Sequence, residues 1–250
     1  MNDELTEFMS DNQSGARVLL QKAARILMET QDPDVIDKIR NSQPDMAPII
    51  NLCRLAEQSS DPTKEIQDFV NDAIGAPVTI AHSIAPDLPQ AFSIMTYSNS
   101  STVKECILEL KNLGKEIRAI VPESRPGFEG RTLSRELGKV GIETSLVTEA
   151  AAFSMIPSVD YIMIGADRVT PPFFVNKIGT RSLAILANHY HVPVYLLVDR
   201  SKFLEEWSNK TDLRSHDGSE VCEKQYPGVS ILNPYFEEVP LDLITRMATN

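Results

Sequence analysis

The stretch FSIMTYSNSSTVKECILELKNLGKEIRAIVP, residues 92–122, decides the fold. A short apolar run passes through a polar turn into TVKECILELKNLG, whose apolar residues recur at helical spacing, and the chain then enters a second apolar run, EIRAIVP. Strand, helix and strand in so few residues read as a βαβ unit with parallel strands. The rhythm continues downstream. ETSLVT (143–148), YIMIGA (161–166), VPVYLLV (192–198) and VSILNP (229–234) read as further strands, and GRTLSRELGKVG (130–141) and VNKIGTRSLAILANHYH (175–191) as helices. This alternation predicts an α/β fold with a Rossmann-like, mainly parallel, doubly wound sheet covered on both faces.

Upstream, residues 11–85 carry only helical signals. SGARVLLQKAARILMET (14–30) sets Val18, Leu19, Ala23, Ile26 and Leu27 on one helical face. DPDVIDKIRN (32–41) and DPTKEIQDFVNDAI (61–74) start with an acidic residue and a proline, Pro33 and Pro62, at the first helical position. DMAPIINLCRLAEQ (45–58) lies between them, and Pro77 is expected to bend or end the last helix. The expected organisation is a helical domain over residues 1–88 followed by the α/β domain over 89–250. EEWSNKTDLRSHDGSEVCEKQYPG (205–228) reads as a flexible surface excursion.

A net charge of -11 argues against direct nucleic-acid binding through a broad basic face, and leaves room for a local basic pocket. Cys53, Cys106 and Cys222 are widely spaced, which fits buried thiols in a reducing compartment better than disulfides or a zinc site. No metal or other cofactor is implied. No apolar run approaches a membrane span and MNDELTEF is no signal peptide, so the expectation is a soluble, cytoplasmic protein with no membrane partner.

Ligands of open parallel sheets bind beyond the carboxyl ends of the strands. Ser98, Asn99, Ser100, Ser101 and Thr102 follow the first strand and open a helix, where hydroxyls cap free N–H groups or cradle a phosphate. One cap needs one hydroxyl, so the surplus favours an anion. Asp167 follows YIMIGA and either caps the next segment or reaches into the crevice. Asn176 and Lys177 fall at an expected helix start, as a cap and a surface lysine or as anion ligands. Lys202 follows VPVYLLV, and Arg125 either holds its own loop or touches substrate. A helix start facing lysines describes a site for a small phosphorylated ligand, a sugar or a nucleotide.

ESRPGFEGR (123–131), GADRV (165–169), NKIGT (176–180), VPVYLLVDRSKF (192–203) and NPYFEEVPLDLIT (233–245), with SGA at 14–16 and QPDMAPIINL at 43–52, resemble one superfamily. It contains methylthioribose-1-phosphate isomerase, ribose-1,5-bisphosphate isomerase and the α, β and δ regulatory subunits of translation initiation factor 2B. The resemblance implies the two-part fold and a homo-oligomer, dimer or hexamer. For its enzymes it implies interconversion of an aldose and a ketose that carry a C1 phosphate. It places the proton-exchanging Asp at Asp167 and the matching Cys at Ser98, and the phosphate contacts at Ser100, Ser101, Asn176, Lys177 and Lys202. The departures are Ser14 and Gln43 where the isomerases have Arg, Glu129 where they have an amide, and Pro171 and Pro172 in place of a polar turn. Two lost cations and an added carboxylate weaken binding of a dianion, and a serine is a poor proton acceptor without a neighbouring base. Two readings follow. One is an isomerase-like, phosphosugar-binding protein. The other is a non-catalytic relative, akin to the initiation factor 2B regulatory subunits: a regulatory or ligand-sensing subunit that senses a sugar phosphate or nucleotide or serves as an assembly partner.

Overall fold

The computed structural model describes residues 2–11, 15–44, 46–204 and 216–250. Five helices come first: α1 (Asn2–Ser10), α2 (Ala16–Glu29), α3 (Pro33–Ser42), α4 (Ala47–Gln58) and α5 (Pro62–Ile84). Two begin as the sequence dictates. Asp32 caps α3 by accepting from the Asp34 amide at 3.0 Å, and Asp61 caps α5 by accepting from the Lys64 amide at 3.3 Å. Their apolar faces meet in a core that includes Leu19, Leu27, Ile39, Leu52 and Ile66.

Pro77 does not end α5, which runs on to Ile84 as one helix. Tertiary packing overrides the proline, because Ala76, Ile80, Ala81 and Ile84 are buried in a second core shared with the sheet. The first half of α5 therefore belongs to the helical layer and its second half to the α/β layer.

The main sheet contains β1 (Ala91–Met95), β2 (Glu116–Pro122), β3 (Glu143–Val147), β4 (Tyr161–Ile164), β7 (Val194–Leu197) and β9 (Arg246–Ala248). Its order is β3-β2-β1-β4-β7-β9, and all pairs are parallel. Helices α6 (Ser101–Asn112) and α7 (Glu129–Lys139) contribute to the core that contains the end of α5, and α8 (Glu149–Met155) and α9 (Thr180–His189) to the core on the opposite face. In β4, Met163 enters the first of these cores while Ile162 and Ile164 enter the other, as expected of a strand buried on both sides. The order reverses between β1 and β4, so the crevice expected of a doubly wound sheet opens past Met95 and Ile164.

Two expectations are corrected. VSILNP (229–234) is not a strand: Val229 and Leu232 are exposed, and the edge of β7 is taken by β9. Asn176 and Lys177 do not open a helix. They end β6 (Phe173–Lys177), the central strand of a small antiparallel sheet between β5 (Arg168–Thr170) and β8 (Phe236–Pro240). The run FFV suits a buried strand, and α9 starts only at Thr180. Residues 205–215 of the expected surface excursion, and Ser14, lie outside the described residues.

Gly130 fixes how α7 meets β2, because a Cβ there would stand 1.8 Å from the Pro122 carbonyl oxygen. Gly130→Ala is expected to cost about 1–3 kcal/mol through forced backbone shifts, read as a lower urea midpoint at unchanged slope. An unchanged midpoint would mean that α7 moves freely on the sheet.

Candidate functional site

The turn after β1 is shaped by backbone geometry. Ser98 takes a left-handed conformation at φ 64°, and its amide donates to the hydroxyl of buried Ser124 at 3.0 Å. Ser100 caps α6, accepting from the Val103 amide at 3.4 Å. Gly165 makes room for it, since a Cβ at 165 would lie 2.4 Å from the Ser100 hydroxyl. Buried Thr102 donates to Asp199 at 3.1 Å, and Ser201 donates to the other oxygen of the same carboxylate. Capping and core satisfaction thus account for Ser100 and Thr102. The half-buried side chains of Ser98, Asn99 and Ser101 make no hydrogen bond among the described residues.

Ser101 and Thr102 face the helical layer across a narrow cleft that is also lined by Arg17, Pro48, Pro77, Asp199 and Lys202. The enclosed space is about 20 Å³, room for roughly one water. Lys202 sits in a short 3-10 turn, Arg200–Lys202, that α4 holds down: the Asn51 amide donates to the carbonyls of Ser201 and Phe203, each at 2.8 Å. Lys202 is 5% exposed, and its amine has no hydrogen bond or ion pair among the described residues. Arg17 donates to the Ile74 carbonyl of α5 at 2.5 Å and lies 4.0 Å from Glu105.

Asp167 is half-buried at the start of the small sheet. Desolvation pushes its carboxyl above the usual range; Lys202 and Lys177 pull it down, and Glu129 pushes it up. These four groups form the electrostatic centre of the crevice. Lys177 is 2% exposed and bonds Glu129 Oε1 at 2.6 Å, with its amine 4.2 Å from the centre of the Tyr235 ring. The second Glu129 oxygen is buried and has no donor. Tyr97 stays a neutral phenol, raised by burial and by Glu149, Glu237 and Glu129, and it packs on Gly179.

Three residues point elsewhere. The Asn176 amide donates to Thr180 at 3.0 Å within the β6–α9 turn. Arg125 donates to the Val221 carbonyl at 3.2 Å and stacks on Phe128. Gln43 donates to the Asp11 carbonyl at 3.3 Å, a tie within the helical layer. The N-terminus of α9 is filled from within, as Glu237 accepts from the amides of Gly179 at 2.6 Å and Arg181 at 3.0 Å. Tyr97 and Glu237 carry no site signal in the sequence, whereas Asp199, in the polar run directly after VPVYLLV, is expected at the crevice and lines the cleft. Arg17 carried a signal of its own, as it directly follows SGA.

The sequence pattern of the Initiation factor 2 subunit family matches residues 6–250. The chain belongs to that family. It is 28% identical over 198 residues to ribose 1,5-bisphosphate isomerase of Archaeoglobus fulgidus, covering 77% of this chain and 63% of that protein. It is 28% identical over 173 residues to translation initiation factor eIF2B subunit alpha of Caenorhabditis elegans, covering 68% and 54%. It thus spans less than two thirds of the length of either relative. The crystal structure of translation initiation factor eIF-2B from Pyrococcus horikoshii OT3 superposes with a TM-score of 0.85 at 26% identity, over 99% of this chain and 94% of that one. This family member therefore has both sugar-phosphate isomerases and initiation factor 2B subunits among its homologues. No helix among the described residues is long and apolar enough to cross a membrane.

Because Asp167 is raised in the fold, the folded chain retains a proton that the unfolded chain releases. Its contribution to stability falls as pH rises from the ordinary carboxylate range to the raised folded value, and is level above that. Asp167→Asn is accordingly expected to be more stable than the unmodified protein at pH 7, with the difference vanishing toward pH 4 in urea titrations. A variant less stable at pH 7 would show that the lysines outweigh desolvation.

Proposed function

We propose that this protein binds a phosphorylated sugar in the crevice between the helical layer and the carboxyl edge of the sheet, and interconverts its aldose and ketose forms. The observation that carries this reading is Lys202, a buried lysine that faces the cleft, makes no hydrogen bond or close ion pair among the described residues, and acts on a carboxyl group of raised proton affinity, Asp167. A largely buried ammonium without a hydrogen-bonded counter-ion favours an anionic ligand that supplies one. Ser101 offers a free hydroxyl at the start of α6, where developing negative charge is favoured.

Isomerisation moves one proton between adjacent carbons and another between their oxygens. Asp167 suits the role of general acid and base because its affinity for the proton is shifted toward neutrality. Ser98, with its hydroxyl free, acts as hydrogen-bond partner to the sugar oxygens. A sugar phosphate needs roughly 300 Å³ or more, so binding requires the cleft to widen. Dimer or hexamer formation and a cytoplasmic location belong to the same reading, and sedimentation as a monomer would remove the oligomer from it.

The second reading is a ligand-sensing relative without turnover. Ser98 favours it, having no base among the described hydrogen bonds to take its proton. So does the fit to the archaeal eIF-2B structure, 94% of which is covered. Phosphorus NMR of the protein with sugar phosphates separates the two. The expected result is a new resonance that grows with time and disappears in Asp167→Asn, while binding persists. Broadening without product would favour the sensor, and no change with any sugar phosphate would overturn the phosphosugar reading and favour the regulatory-subunit reading. Lys202→Met is expected to weaken phosphate binding by about 10-fold or more, the loss of one charge-assisted hydrogen bond of roughly 1.5–3 kcal/mol, read by calorimetry.

A further inference from the structure

The two buried lysines of the crevice are in opposite states. Lys202 makes no side-chain hydrogen bond or close ion pair among the described residues, and its charge acts on Asp167 only from a distance. Lys177 is fully engaged, with Glu129 Oε1 at 2.6 Å on one side and the face of Tyr235 on the other. Nothing loose puts Glu129 there. It is the first residue of α7, whose position Gly130 fixes against the Pro122 carbonyl. Gly127 closes over the carboxylate, since a Cβ at 127 would stand 2.7 Å from Glu129 Oε1. The carboxylate is thus packed onto the amine by backbone close approach on both sides of it in sequence.

We infer that Glu129 is a built-in counter-ion occupying the anion position on Lys177, so that the crevice takes a ligand with a single phosphate, held at Lys202, whose hydroxylated portion meets Glu129. This inference rests on the phosphosugar reading above and specifies its substrate class. A second phosphate directed to Lys177 would have to sit against the Glu129 carboxylate, a like charge in a desolvated setting. The other oxygen of Glu129 is buried and has no donor. A sugar hydroxyl would satisfy it; a phosphate, which is all acceptor when ionised, would not. The charge pattern selects a sugar monophosphate over a bisphosphate.

The test is calorimetric binding of ribose 1-phosphate, ribose 5-phosphate and ribose 1,5-bisphosphate to the full chain and to Glu129→Gln, which keeps the side-chain shape and removes the charge. The expected result is that the better monophosphate binds the unmodified protein at least 10-fold more tightly than the bisphosphate. In Glu129→Gln that ratio should fall by at least 10-fold, and Glu129→Ala serves as a second variant should the glutamine impair folding. A bisphosphate that binds the unmodified protein more tightly than either monophosphate would overturn the inference while leaving the phosphosugar reading intact. So would a ratio unchanged in both variants. Failure of all three ligands to bind any of the proteins would overturn the phosphosugar reading itself, and the inference with it.

Discussion

The structure turns on one helix that serves two cores. The first half of α5 buries Ile66 and Val70 among the other N-terminal helices, and its second half buries Ile80 and Ile84 against the sheet. Because the same rigid rod is packed at both ends, the helical layer is held over the carboxyl edge of the strands. The join between the two halves is also where the helix is weakest. Pro77 has no N–H to give, so the helix loses one internal hydrogen bond near Ala73. Ala73 and Pro77 line the cleft, and Arg17 donates to the carbonyl of Ile74 between them. Close to the break in helical hydrogen bonding, a guanidinium thus stands in the wall of the cleft.

Most of the fold was legible because its signals are local. A strand of four to seven residues followed by an amphipathic helix announces a βαβ unit wherever it sits, and the acidic-proline starts of α3 and α5 announce their own caps. What could not be read depends on pairing at a distance. The run that ends in Asn176 and Lys177 becomes a strand through β8, whose first pairing joins Phe173 to Pro240. Conversely, VSILNP has the composition of a strand, but β9 holds the open edge of β7. Composition proposes strands, and available edges decide among them.

The site was legible in part for the same reason. The hydroxyl cluster after β1 stood out, yet two of its members are explained by the Ser100 cap and the Thr102–Asp199 bond, and Asp199 is 97 residues from Thr102. Glu129 was visible as a departure from the family pattern. Its meaning was not, because that lies in Lys177, 48 residues away. A charge in a sequence is an unpaired fact until the fold supplies its neighbour.

The electrostatics of the whole chain sharpen this point. At a net charge of -11 the long-range field repels an anionic ligand, and screening confines that repulsion to a Debye length of about 8 Å at physiological salt. Capture then depends on what a ligand meets at contact distance. Were both buried lysines free, contact would favour the most highly charged ligand. With Glu129 bonded to Lys177, Lys202 is the one of the two buried lysines left to reward negative charge, beside Arg17 in the cleft wall, and a charge directed to Lys177 meets a carboxylate instead. The carboxylate that satisfies a fully buried lysine thereby sets the charge the crevice will accept.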